Sequence, residues 1–223
     1  MEISVQARHE EMVQPEIARL HASARAEAFD KNEVLRRTTE AVNLLHEQFK
    51  VVQGAGGAVD IVVRPISVSS WRPMVKGRPQ PALYRASAGL RADFTDFAAL
   101  ADLAAQVGGI EGVELGWVEW RITDATRLEL ENLCLTKAVE QARQRAATMA
   151  HAAGAGEVTF VQLADQGLLG EAPSARQAFE VAAPVPGAMM RSAKGPDEPP
   201  LAGIELRPEE LSVAVVVEAR LNA

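Results

Sequence analysis

The side chains that could do chemistry are few and scattered. The chain has one cysteine, Cys134, and four histidines, His9, His21, His46 and His151. None of the histidines stands at a short metal-ligand spacing from another, and a zinc site needs clustered Cys, His or carboxylate ligands. Each therefore reads as a surface or strand-face residue. Cys134 lies among Leu130, Leu133 and Leu135, so it reads as a small buried hydrophobe rather than a reactive thiol. Gly54-Ala55-Gly56-Gly57 lacks the Gly-Lys-Ser/Thr ending of a phosphate loop and precedes a strand, which makes it a turn. The acidic pairs Glu10-Glu11 and Glu209-Glu210 fall in expected turns and read as solvated, not as a paired acid and base. No constellation of base, nucleophile and oxyanion donor emerges. The expectation is no catalytic, cofactor-binding or metal-binding residue and no cofactor.

Trp117 and Trp120 are the more informative pair. Three residues apart in a strand, they face opposite sides of a sheet. One can enter the core. The other must meet the long helix, the proline-rich arm or a partner chain.

The element that must organise these residues runs from Thr123 to Leu163. It reads as a long helix, a glycine stop and a strand. Ala138, Ala142, Ala146 and Ala150 recur four apart, which lays a smooth narrow ridge along one helix face. Thr126 with Glu129 is a capping-box pattern, and Gly154 and Gly156 supply the stop. The expected apolar face comprises Leu135, Ala138, Val139, Ala142, Ala146, Met149, Ala150 and Ala153.

Upstream, Ile3 to Ala7 reads as a short strand. From Ile17 to Glu27 the even positions Ala18, Leu20, Ala22, Ala24 and Ala26 alternate with polar odd ones, a half-buried strand with a small-residue face inward. Asp30 with Glu33 opens a helix whose stripe is Val34, Thr38, Ala41, Val42, Leu45 and Phe49, ending near Lys50. A strand from Val59 to about Ser70, a proline-rich loop from Trp71 to Pro81 and a strand from Leu83 to Asp93 follow. Asp93 or Thr95 caps a second helix, closed by Gly108 and Gly109. Val113 to Ile122 is the next strand.

Strand–helix–strand thus occurs twice, at 17–70 and 83–122. The order predicts an α+β fold: a ferredoxin-like mixed sheet with both helices on one face, plus the long Ala-rich helix and a C-terminal β-hairpin. That hairpin joins Ile204–Leu206 to Leu211–Leu221 about Arg207-Pro208-Glu209-Glu210. The whole chain, 1–223, reads as a single domain. Residues 165–200 hold six of its twelve prolines, marking a loop or arm with an apolar patch at Phe179, Val181, Val185, Met189 and Met190.

Composition narrows the classes. At 48% hydrophobic and 24% charged, the chain is ordinary for a soluble globular protein. A net charge of −7 argues against a nucleic-acid partner, whose phosphates call for a basic patch. A single cysteine forbids an intrachain disulfide and fits a reducing compartment. MEISVQARHEEMVQPE lacks the basic start and apolar run of a signal peptide, so the expected location is cytoplasmic, or periplasmic or secreted if a leader was trimmed. No membrane span is expected.

Several stretches carry a family likeness. Pro15-Glu16-Ile17-Ala18 precedes the first long strand, Tyr84-Arg85-Ala86 opens a central one, and the Ala-rich helix ends at Gly154. Leu206-Arg207-Pro208-Glu209-Glu210-Leu211-Ser212-Val213 makes a proline turn before the last strand. Together these resemble the SIMPL domain family, a bacterial group of unknown function, from about Val13 onward. Glu16 and Glu209 depart from the aspartate and glycine common there, and the secretion leader of better-known members is absent. The resemblance implies links to oxidative-stress defence and, in one surface antigen, to ring-shaped assemblies. It supplies no catalytic residue. The expected protein is non-enzymatic and self-associating; the alternatives are a small-ligand or peptide binding module and, last, an enzyme.

Overall fold

In the computed structural model, residues 1–75, 78–169 and 206–223 are described. The apolar patch from Phe179 to Met190 and most of the first arm of the expected C-terminal hairpin lie outside them. The contacts cluster into two compact units.

One unit is built from Pro15–Arg121. In it, β2 (Ile17–Ala28) leads to helix α1 (Lys31–Gly54), then β3 (Ala58–Val63) and β4 (Ser67–Trp71). A small ribbon of β5 (Met74–Val75) and β6 (Arg78–Pro79) precedes β7 (Leu83–Phe94), α2 (Phe97–Val107) and β8 (Val113–Arg121). The strand order is β3-β7-β2-β8, with β4 also on β7. This is the ferredoxin-like order, but every neighbouring pair is antiparallel, not mixed. The crossover through α1 sets β2 and β3 in the same direction, and β7 inserts between them. The single strand expected over 59–70 is broken around Pro65, because proline cannot donate to the ladder. The loop expected at 71–81 contains the β5–β6 ribbon.

Alternation in β2 has the expected result: Ala18, Leu20, Ala22 and Ala24 are buried. They meet Ala88, Leu90, Ala92 and Phe94 of β7 and the α1 stripe in one core, with Leu100, Leu103 and Val107 of α2. Both helices therefore cover one face. Asp30 caps α1 through the Glu33 N–H as expected, and the helix runs four residues past Lys50. The cap of α2 is Asp96, which accepts from the Ala98 and Ala99 N–H groups. Asp93 is unavailable for that role because it lies within β7.

The other unit contains Met1–Gln14, the segment from Ile122 and the C-terminus from Glu209. Its sheet has the order β1-β10-β9, from β1 (Glu2–Val13), β10 (Leu211–Asn222) and β9 (Thr159–Asp165). Far from a five-residue strand, β1 pairs with β10 along its full length. The second arm of the expected hairpin is thus the central strand of a sheet. Helix α3 (Asp124–Ala152) starts earlier than the expected capping box, at Thr123, whose hydroxyl accepts from the Thr126 N–H. At the other end, Gly154 takes φ +76, a left-handed turn that glycine adopts without strain.

Ala138, Ala142, Ala146 and Ala150 are fully buried against Ile3, Val5, Ala7, Val217, Ala219 and Leu221. The buried line is narrower than the expected face: Leu135 is 40% and Met149 46% exposed. In this unit the helix contributes the small side chains and the sheet the larger ones.

Two stability measurements check this packing. Ala142→Leu or Ala146→Leu lowers stability by about 1–3 kcal/mol through overpacking, whereas Gln144→Leu, on the exposed face, leaves the melting temperature unchanged. In α1, the Thr38 hydroxyl is buried with no hydrogen-bond partner. Thr38→Val removes that uncompensated group, and the expected gain is about 1 kcal/mol in a denaturant titration.

Candidate functional site

The chemically richest surface of the 15–121 unit is the sheet face opposite its helices. Alternation in β2 presents Arg19, His21, Ser23, Arg25 and Glu27 there, and the register sets Asp93 and Arg91 of β7 beside Arg19 and His21. From β8 come Glu114, Glu119 and Arg121, opposite or diagonal to β2.

Asp93 anchors this face. Arg19 grips it with two hydrogen bonds, Nε to Oδ1 at 2.6 Å and Nη2 to Oδ2 at 2.7 Å. Arg121 lies 3.9 Å from the same carboxylate. Burial pushes the Asp93 carboxyl up, but the Arg19 bonds and charge, backed by Arg121 and Arg91, outweigh it and hold its pKa below the usual value. The same hydrogen bond raises the Arg19 guanidinium. A carboxylate held this way is a weaker base than a free one, and the pair ties β2 to β7.

Beside it, Trp117 stacks on His21, with ring centroids 4.4 Å apart and planes 13° from parallel. The His21 ring Nε2 lies 3.4 Å from a Glu119 carboxylate oxygen. A bulge creates this arrangement. Leu20 pairs with Val118 and Ala22 with Leu115, so Gly116 and Trp117 both lie opposite His21. A side chain at Gly116 would come within 2.8 Å of the His21 carbonyl, which is why a residue without a Cβ stands there. Trp117 is 59% exposed, while Trp120 packs edge-on against Phe97 and joins the core. The tryptophans divide between the two faces as their spacing requires.

The remaining candidates are dispersed. Cys134 is fully buried and extends the alanine line by one turn. Its Sγ–H donates to the Val213 carbonyl at 3.3 Å, and burial pushes the thiol pKa up, both contrary to thiolate chemistry. His9 bridges two elements of its own unit: Nε2 meets Glu11 at 2.8 Å and Nδ1 meets the Gln141 amide at 3.0 Å. Glu10 and Glu11 lie in β1, not in a turn, because that strand runs on to Val13. Glu210 accepts from the Gln14 amide. His46 and His151 lie on α1 and α3 and join none of these clusters. Gly54 to Gly57 closes α1 and leads into β3, so it is a turn. No group of three or more metal-ligating side chains occurs among the described residues. The Arg19–Asp93 pair, missed from sequence, was detectable only as two opposite charges on strands of then unknown register.

Two outcomes test the site. Arg19→Met leaves Asp93 buried without its main partner, and the expected loss is about 3 kcal/mol in chemical denaturation, since Arg121 remains. Because the folded Asp93 pKa is depressed, its contribution is present above the unfolded value of about 4 and fades as pH falls through the folded value. Asp93→Asn therefore flattens the acid limb of the stability curve. For Cys134, a thiol reagent labels the native protein far more slowly than the unfolded chain; fast native labelling overturns the structural role.

Comparison with known proteins agrees with the sequence likeness. A search of curated proteins finds no match. The family described as "SIMPL: Protein of unknown function (DUF541)" matches residues 3–221. That span takes in both units, their sheets and the long helix, and the chain belongs to the SIMPL family.

Proposed function

We propose that this SIMPL protein is non-enzymatic and acts by associating with copies of itself, with the place in stress protection that the family likeness suggests. One observation carries the reading. Among the described residues, strand β9, Thr159–Asp165, is an edge of the β1-β10-β9 sheet. It carries no charge before Asp165, and Val161 and Leu163 are 56% and 49% exposed. An edge strand with no charge over its first six residues and with exposed Val161 and Leu163 is a template for pairing with another strand. Two copies meeting edge to edge would form an isologous contact. The groups with the most reactive potential support the non-enzymatic part, because each is already engaged: Asp93 by two arginines, and Cys134 by a carbonyl.

A second reading rests on Trp117. An exposed indole backed by a histidine and a carboxylate can hold a small ligand or peptide. This makes a binding module the alternative.

Solution mass separates the two readings. Light scattering across a dilution series is expected to show a dimer or larger species at micromolar concentration. Leu163→Lys, which charges the β9 edge, shifts the equilibrium toward monomer, while Trp117→Ala leaves the mass unchanged. A clean monomer for the unaltered chain sinks the self-association reading.

A further inference from the structure

In a chain of net charge −7, residues 61–92 contain six basic side chains and no acidic one. This stretch spans most of β3 through β7 in the 15–121 unit. Two of the six are occupied: Arg85 pairs with Glu27, and Arg91 lies 3.8 Å from Asp60. Arg64, Arg72 and Arg78 are exposed and have no ion-pair partner among the described residues.

The backbone carries these cations outward. All five residues of β4 are exposed, so both of its faces meet solvent. Beyond it, β5 and β6 pair with each other and with no other strand among the described residues. Met74, on this ribbon, is 65% exposed. Trp71 stands at its base, with the Arg85 guanidinium 4.9 Å from the ring centroid.

The exposed Met74 between Arg72 and Arg78, with the indole of Trp71 beside them, matches the chemistry of a bilayer surface. Cations meet anionic headgroups, a thioether enters the headgroup and acyl boundary, and indoles favour the interface. Nucleic acid fits less well. A strand of bases needs free ring faces to stack on, Arg85 covers one face of Trp71, and phosphates have no use for Met74. No helix among the described residues is long and apolar enough to cross a membrane, so the attachment in question is peripheral.

We propose that the β5–β6 ribbon docks on anionic phospholipid surfaces, with Arg72 and Arg78 against the lipid phosphates and Met74 in the headgroup boundary. The full chain is tested by co-sedimentation with vesicles of phosphatidylcholine alone and with about one-third phosphatidylglycerol. Binding is expected to the second only, and to fall as salt rises. Each neutralised arginine lowers the partition coefficient about fivefold, so Arg72→Gln with Arg78→Gln lowers it about twenty-fivefold. Met74→Ser weakens binding as well, whereas Lys50→Gln on α1 binds like the unaltered chain. Far-UV circular dichroism verifies that each variant is folded. The proposal is overturned by equal binding to both vesicles, by no binding to either, or by a double variant that binds undiminished. Displacement by a single-stranded oligonucleotide at matched charge assigns the ribbon to nucleic acid and overturns the lipid reading too.

Discussion

Alanine at helix–sheet contacts is the constraint on which both units depend. Two layers can pack without voids only if large side chains on one meet small ones on the other. The two units solve this in opposite ways. Around α3 the helix is the smooth partner, with Ala138, Ala142, Ala146 and Ala150 under Ile3, Val5 and Leu221. Around α1 the sheet is smooth, with Ala18, Ala22, Ala24, Ala88 and Ala92 receiving Val42, Leu45 and Phe49. A methyl group added on either smooth layer has no space to enter, and one removed opposite it leaves a void.

With the cores settled by size matching, the polar faces are free to carry charge. On β2, β7 and β8 acids and bases alternate from strand to strand, and each mostly satisfies its neighbour. Asp93 is the most enclosed of them, and its pairing with Arg19 ties the two central strands together by side chains as well as by backbone. Such a pair is costly to break and gives little net stability when formed. Its value here is register: shifting β7 by one residue against β2 would bury one charge without the other. The His21–Trp117 stack links β8 to β2 in the same way, through a bulge instead of an ion pair.

Membership of the SIMPL family fixes the architecture without supplying a reaction. The described residues leave three features exposed: Val161 and Leu163 on β9, the indole of Trp117, and Met74 with its neighbouring arginines beyond β4.

Local sequence patterns were enough for much of this fold. The alternation in β2, the stripe on α1 from Val34 to Phe49, the Asp30 cap, the four-residue alanine repeat and the Gly154 stop each depend on neighbours within a few positions, and each appears as read. The strand–helix–strand order likewise implied the ferredoxin-like arrangement. What the sequence could not decide is set by partners far away along the chain. Asp93 or Thr95 was the cap expected for α2, yet Asp96 fills that place, and pairing with Arg19, 74 positions away, holds Asp93 in the sheet. The length of β1 comes from β10 at the opposite end of the chain, which extends pairing to Val13. The bulge that sets both Gly116 and Trp117 opposite His21 arises from the register of β8 on β2, which no local pattern specifies. Periodicity and caps are written in the sequence because they act within a turn or a strand; register, ion pairing and edge exposure belong to the tertiary structure because they need two strands to meet.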